Sequence, residues 1–223
     1  MTVLTPYPKR QNTPRATSPL IIQIGFNRCG TLSFHRMMKD NGIPALHWQE
    51  PGGRNVAQTM LNNLSFGRKP FDGFDGVLAF SDIAFLNGQI MIEGGRLFRT
   101  LHAAYPDAYF FFNTRDKSDW IASRAAHANG TFLKRFCKMS GLDEAGAKAA
   151  WGEMFDQHTA EVQSYFATAT ARFLRFDLDH DGPEKIADWL APDYTIDTAH
   201  WGHYNKNSRS RDMRVLEGQG ALG

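Results

Sequence analysis

Strand-sized apolar runs alternate with segments of helical periodicity along most of the chain. The runs are short, several are rich in β-branched or aromatic residues, and most are bounded by glycine, proline, asparagine or aspartate. They predict strands at residues 20–24, 43–48, 77–80, 108–113 and 173–178. The segments between them predict helices at residues 31–41, 55–64, 95–105, 145–170 and 183–190, and one that begins at 118. Strands that alternate with helices form βαβ units, so we expect a three-layer α/β/α domain with a central parallel sheet.

Length and composition favour one globular domain. The chain has 223 residues, of which 42% are apolar and 22% charged, enough for one sizeable core. We expect a flexible N-terminal arm at residues 1–18, because it contains three prolines and no signal-length apolar run. The single domain then spans 19–205, and a basic loop with a frayed tail occupies 206–223.

Charge, apolar run length and cysteine content narrow the functional classes. The net charge of +2 gives no reason to expect nucleic acid, and the apolar runs are too short to predict a membrane span. Cys29 and Cys137 are far apart and have no partners at metal-ligand spacing, which favours neither a disulfide framework nor a zinc site. We therefore expect a cytoplasmic protein that holds no metal.

A glycine-bounded loop follows the first predicted strand. Gly25 and Gly30 stand five positions apart, as in a Walker A loop, but no lysine follows Gly30 and the only cation is Arg28. Backbone N–H groups, the start of a helix, Arg28 and the hydroxyls of Thr31 and Ser33 could together bind a phosphate without metal. A plain tight turn would need the same glycines, so the loop alone leaves both interpretations open.

A second candidate anion site follows the strand at 108–113. Arg115 lies at the end of this strand and Ser123 lies eight positions later, on the next helix. Both side chains could converge on one anion, although a surface salt bridge for Arg115 and a neutral helix position for Ser123 would each explain one residue. Ligands of parallel sheets bind at the carboxyl ends of the strands, where the loop and this pair are both predicted to lie.

Taken together, these segments resemble the sulfotransferase family that uses 3′-phosphoadenosine 5′-phosphosulfate (PAPS). The stretch FNRCGTLS at 26–33 is similar to the family loop P-K-x-G-T-T/S, which holds the 5′-phosphosulfate. The stretch TRDKSDWIAS at 114–123 is similar to its R-D-P-x-x-x-x-x-S segment, which holds the 3′-phosphate. The resemblance covers about residues 20 to 205 and implies a P-loop NTPase-like sulfotransferase architecture. It implies that the donor is bound by Asn27, Arg28, Cys29, Gly30, Thr31, Leu32, Ser33, Arg115 and Ser123.

The first loop departs from the family pattern at three positions. Arg28 replaces the usual lysine, Asn27 replaces the usual proline, and Leu32 replaces the second hydroxyl residue, which leaves Ser33 as its substitute. A guanidinium keeps the positive charge but is a poor proton donor, so we expect Arg28 to stabilise the leaving phosphate electrostatically.

The resemblance implies transfer of a sulfuryl group from PAPS to a hydroxyl or amine acceptor, with adenosine 3′,5′-bisphosphate (PAP) as the product. A base must remove the acceptor proton, and relatives use a His or a Glu near this edge of the sheet. His47, Glu50 and Asp82 occupy such places, and we rank His47 first because an imidazole is partly neutral at pH 7. His47 could equally be a packed strand residue, and both carboxylates could be solvated or capping groups.

Two other functions stay open at this point. A P-loop small-molecule kinase would need magnesium and normally the missing lysine, and a non-catalytic nucleotide-binding protein could keep the fold without turnover. The acceptor is expected to be a small or carbohydrate-like molecule, and the oligomeric state is undetermined. His203 and the basic loop at 205–214 could cover the cofactor.

Overall fold

The computed structural model describes residues 18–202 and folds them into alternating strands and helices. The strands are β1 (Ile21–Gln23), β2 (Ala45–His47), β3 (Ala79–Ser81), β4 (Ala84–Leu86), β5 (Met91–Glu93), β6 (Tyr109–Thr114) and β7 (Arg172–Asp177). The helices are α1 (Thr31–Asp40), α2 (Val56–Ser65), α3 (Phe98–Ala104), α4 (Lys117–Ala125), α5 (Thr131–Ser140), α6 (Glu144–Phe166) and α7 (Glu184–Leu190). Short 3-10 turns lie at Gly94–Leu97 and Thr198–His200.

Five strands form the central sheet, and all neighbouring pairs in it are parallel. Their order is β2, β3, β1, β6, β7, so β1 lies in the middle and its loop opens at the centre of one edge. This confirms the predicted parallel sheet, and each predicted strand overlaps an observed one. Strands β4 and β5 form a separate antiparallel hairpin that the apolar pattern did not predict.

The two faces of the sheet bury different side chains, because successive residues of a strand point to opposite sides. On one face, Ile22 and Phe110 pack with residues of α2, α3 and α6. On the other face, Ile21 and Phe111 pack with residues of α1 and α7. The domain therefore has the predicted three-layer α/β/α architecture. A third cluster joins α4, α5 and α6 and includes Phe26 of the loop after β1.

The terminal predictions fall largely outside the described residues. Of the arm at 1–18 only Ser18 is described, and the basic segment at 206–223 is not described. His203 and the loop at 205–214 also lie outside this range, so the division into arm, domain and tail stays a prediction.

Candidate active site

The loop after β1 has glycines where neighbouring strands leave no room for a side chain. A Cβ on Gly25 would collide with the carbonyl oxygen and the side-chain amide of Asn113, at the end of β6. Gly30 has a left-handed φ of 80°, and a Cβ there would lie 2.8 Å from a methyl carbon of Leu178, just after β7. The five-residue spacing of the glycines thus follows from two close approaches to the sheet edge.

Two buried amide side chains hold this loop from below. Asn113 donates from Nδ2 to the carbonyl oxygen of Cys29 at 2.7 Å. Gln23 donates to Asn113 Oδ1 and accepts from the backbone N–H of Asp82 at 2.8 Å. Sequence reasoning missed both residues, although each is a polar residue at the end of a buried strand, and that position was the available signal.

The start of α1 offers backbone donors to an anion. Gly30 caps the helix without a side-chain hydrogen bond, and the first turn contains no acidic residue. The first N–H groups of a helix have no intrahelical acceptor, so those of Thr31, Leu32 and Ser33 are suited to an anion. The hydroxyl-bearing side chains of Thr31 and Ser33 are both buried.

Arg28, Arg115 and Ser123 are brought together at this loop. Arg28 Nε donates to Ser123 Oγ at 3.1 Å, and Arg115 Nη1 lies 3.5 Å from the carbonyl oxygen of Arg28. Arg115 also lies 3.5 Å from Asp119 and 3.7 Å from Asp179, yet its Nε is buried without a hydrogen-bond partner. Burial lowers the pKa of Arg28, Asp82 opposes this shift and Arg115 adds to it. Two cations and one hydroxyl therefore meet beside the N-terminus of α1.

A model of the sulfotransferase domain matches residues 20–136, which include both the loop and the Arg115–Ser123 segment. The chain belongs to the sulfotransferase family. No curated protein matches the chain. The match covers slightly more than half of the sulfotransferase and ends within α5.

Two residues of this sulfotransferase that the resemblance predicts to bind PAPS, Asn27 and Cys29, have side chains that point into the interior. Asn27 Oδ1 accepts from Arg124 Nη1 at 3.0 Å, in the interior. The Cys29 thiol is buried, and burial raises its pKa to about 12, so the thiol is neutral at physiological pH. Their backbone carbonyl oxygens also accept from protein side chains, Trp120 Nε1 and Asn113 Nδ2, and their role in donor binding stays a prediction.

His47 and Asp82 form a pair at the carboxyl ends of β2 and β3. His47 Nε2 lies 3.5 Å from Asp82 Oδ2, and His47 Nδ1 lies 3.1 Å from Ser81 Oγ. Burial lowers the pKa of His47 to about 4. Burial also raises the pKa of Asp82 to about 6, against the opposing charges of Arg124 and Arg28. Near neutral pH the pair therefore consists of a neutral imidazole and an ionised carboxylate.

Glu50, the other candidate base, pairs with Arg54 of the same loop. Both carboxylate oxygens accept from the guanidinium at 2.8 Å, and Arg54 also donates to the carbonyl oxygen of Gly73 at 2.7 Å. The guanidinium carbon lies 4.3 Å from the ring centroid of Phe74. This arrangement gives Glu50 a structural role between β2 and α2, and its role as a base stays a prediction.

Two searches of the described residues bear on metals and membranes. Within residues 18–202, no group of three or more His, Cys, Asp or Glu side chains could hold a metal ion. Within the same range, no helix combines the length and hydrophobicity needed to cross a membrane.

A buried histidine also contacts the loop after β1. His158 on α6 lies with Nε2 2.8 Å from the carbonyl oxygen of Ile24, and its ring centroid is 4.7 Å from that of Phe26. Because a carbonyl oxygen only accepts, Nε2 carries the proton, and burial lowers the pKa of His158 to about 4 from an ordinary 6.5.

We expect His158 to make the protein less stable in acid. Its pKa is lower in the folded than in the unfolded state, so its stabilising contribution is complete above about pH 6.5 and is lost as the pH falls towards 4. Between pH 7 and pH 5 this loss is about 2 kcal/mol. The melting temperature of His158→Gln should therefore fall less between pH 7 and pH 5 than the melting temperature of the wild type. His180→Gln, at an exposed position, is the control, and equal losses in His158→Gln and wild type would contradict the expectation.

Proposed function

We propose that this sulfotransferase transfers a sulfuryl group from PAPS to a hydroxyl or amine acceptor by in-line displacement. The observation that carries the proposal is the meeting of Arg28, Arg115 and Ser123 beside the N-terminus of α1. PAPS has two separate phosphate positions, and this site has two cations that could serve them. The sulfotransferase family generally uses PAPS, which also supports PAPS as the donor of this protein.

The residues of the loop suit the phosphosulfate end of the donor. In the proposed complex, the N–H groups at the start of α1 and the guanidinium of Arg28 bind the 5′-phosphosulfate. Arg115 and Ser123 bind the 3′-phosphate. The buried Nε of Arg115, which has no hydrogen-bond partner, is a donor that such a phosphate would satisfy.

The transfer step forms one bond to sulfur and breaks another. The acceptor oxygen or nitrogen attacks the sulfur atom, and the bond between sulfur and the oxygen of the 5′-phosphate breaks. The electron pair stays on that oxygen, and PAP leaves. Arg28 and the loop N–H groups stabilise the developing negative charge, since they are fixed in place before the reaction.

His47 is the proposed base, and it lies between Ser81 and Asp82. Ser81 Oγ lies 3.3 Å from the carbonyl oxygen of Leu46 and donates its single proton there. In the proposed tautomer the hydroxyl accepts from His47 Nδ1, at 3.1 Å, and Nε2 is unprotonated. When Nε2 takes the acceptor proton, the imidazolium faces the carboxylate of Asp82 and is stabilised by it.

The proposed acceptor is a small or carbohydrate-like molecule. Trp48 follows the base directly and is 43% exposed, with a left-handed φ of 63°. Its backbone is held by hydrogen bonds to Ser81, Val56 and Asn55. A bulky residue in this conformation is strained unless its surroundings fix it, and such strain concentrates at functional sites. The exposed indole offers a flat apolar surface to a ring of the acceptor.

The proposed donor site is tested by calorimetric titration with PAP and with adenosine 5′-phosphate. The wild type should bind PAP more tightly, because only PAP carries the 3′-phosphate. Arg115→Ala should weaken PAP binding about 10- to 100-fold, which is the effect of losing a charged hydrogen bond. The same variant should bind adenosine 5′-phosphate almost as tightly as the wild type does. Ser123→Ala should act in the same direction.

Arg99→Ala is the matched control, since this exposed arginine on α3 pairs with Glu161 at 3.2 Å. The control should bind PAP as the wild type does. Equal affinity of the wild type for the two nucleotides, or unchanged PAP affinity in Arg115→Ala, would contradict the proposal.

A further inference from the structure

A fully buried arginine lies behind the loop at residues 25–30, which is the donor loop of the proposed function. Arg124 follows Ser123 on α4, has no exposed surface, and is surrounded by aromatic rings. Its guanidinium carbon lies 4.8 Å from the ring centroid of Phe132, 4.9 Å from that of Trp120 and 5.0 Å from that of Trp151. A buried guanidinium is costly unless its hydrogen bonds and charge are satisfied. The burial of Arg124 therefore depends on the polar groups that its guanidinium contacts.

Arg124 connects the donor loop to the end of the β4–β5 hairpin. Its Nη1 donates to Asn27 Oδ1 at 3.0 Å, and its Nη2 forms an ion pair with Glu93. Both partners are largely buried. Replacing a buried ion pair by well-packed apolar residues is often neutral or stabilising, so stability alone does not account for the pair.

The loop end of this connection fixes the residue next to Arg28. Trp120 Nε1 donates to the carbonyl oxygen of Asn27 at 2.9 Å, so α4 holds Asn27 through both its backbone and its side chain. Arg28 follows with a left-handed φ of 67°, a conformation that persists only where neighbouring contacts enforce it. Its guanidinium then contacts Ser123, which is also on α4. Helix α4 thus sets both the backbone and the side chain of Arg28.

The hairpin end of the connection lies close to Asp82. Glu93 pairs in register with Ala84, two residues after Asp82. The groups that act on this carboxylate are His47 at 3.5 Å and the charges of Arg124 and Arg28, and Asp82 in turn acts on Glu93. Arg124 exerts the strongest effect that lowers the pKa of Asp82 against burial. One arginine therefore acts on both halves of the candidate active site.

We propose that Arg124 is a positioning residue, which holds the donor loop through Asn27 and the β4–β5 hairpin through Glu93 and so fixes Arg28 relative to Asp82. This inference rests on the proposed function for its ligand. Arg124 touches neither the donor nor the acceptor, and it acts through Asn27, through Glu93 and through its charge on Asp82. A planar fork can reach two acceptors at once, which the single ammonium group of a lysine does less well.

The first test is PAP titration of Arg124→Lys and Asn27→Ala. Lysine keeps a positive charge beside Glu93, which favours folding, but it lacks the planar guanidinium that contacts Asn27 and Glu93 at once. Each variant should weaken PAP binding about tenfold. The double variant should be little weaker than either single variant, because both remove the same contact. Arg99→Lys is the matched control and should bind PAP as the wild type does. Additive losses, or wild-type affinity in Arg124→Lys, would overturn the proposal.

The second test is the pH titration of the His47 ring resonances, which report the ionisation of Asp82. Arg124→Lys should leave the midpoint near that of the wild type, whereas Arg124→Met should move it to higher pH. An unchanged midpoint in a folded Arg124→Met would show that the charge of Arg124 does not act on Asp82, and would overturn that part of the proposal. The contact between Arg124 and Asn27 is decided by the PAP titrations, which do not depend on whether Arg124→Met folds. A wild type that binds no PAP would contradict the proposed function instead, and the resonances would still test Arg124.

Discussion

Replacing Arg28 by alanine is expected to lower kcat for sulfuryl transfer about 10²- to 10³-fold, the usual effect of removing one group that stabilises a developing oxyanion. The reason is its place between the start of α1 and Ser123, where the leaving phosphate is proposed to gain charge. Arg28→Lys should lose less than Arg28→Ala, because it keeps the charge and loses only the contact with Ser123.

This expectation is measured as PAP release from PAPS, with an acceptor on which the wild type turns over. Arg135→Ala is the control, since Arg135 is an exposed cation on α5. A kcat of Arg28→Ala close to the wild-type value would show that Arg28 is not at the bond that breaks. Equal losses of kcat in Arg28→Ala and Arg28→Lys would show that the geometry of the guanidinium, and not its charge, accounts for the effect of Arg28 on kcat.

Replacing His47 by glutamine is expected to lower kcat about 10²- to 10⁴-fold, the range for loss of a general base. Glutamine keeps a polar side chain beside Ser81 and Asp82 but cannot take up the acceptor proton. The affinity for PAP should stay within about threefold of the wild type, because His47 is proposed to contact the acceptor and not the donor.

Parallel variants of the two carboxylates separate the candidate bases. Asp82→Asn should lower kcat less than His47→Gln, because it removes only the group that stabilises the imidazolium. Glu50→Gln should affect kcat least, since Glu50 pairs with Arg54 in the β2–α2 loop. A loss in Glu50→Gln larger than in His47→Gln would assign the base to Glu50 and contradict the proposed mechanism.

The sheet could be predicted from sequence because its signals are local. Each central strand is a short apolar run, and Gly25 and Gly30 mark the turn out of β1. The β4–β5 hairpin was missed because Ala84–Leu86 begins only three positions after β3 ends at Ser81, so no helical segment separates the two strands in the apolar pattern. Helix α5 was missed because Ala128, Asn129 and Gly130 form a left-handed turn that separates it from α4. The periodicity does not reveal how two helices meet at such a turn.

The candidate site was predictable to the same extent. Arg28, Arg115 and Ser123 follow two parallel strands, and the rule that such strands end at one edge brings them together. The supporting contacts could not be predicted, since they join distant segments: His158 contacts Ile24, 134 positions away, and Arg124 contacts Asn27, 97 positions away. These contacts depend on how α4 and α6 pack beside the loop, and no local pattern encodes that packing.

The most direct test of a PAPS-type donor site compares the affinities of the wild type for PAP and for ATP, each with and without magnesium. A site built from Arg28, Arg115 and Ser123 should bind PAP more tightly than ATP, and magnesium should not be required. Tighter binding of ATP that depends on magnesium would contradict the account and favour phosphoryl transfer instead.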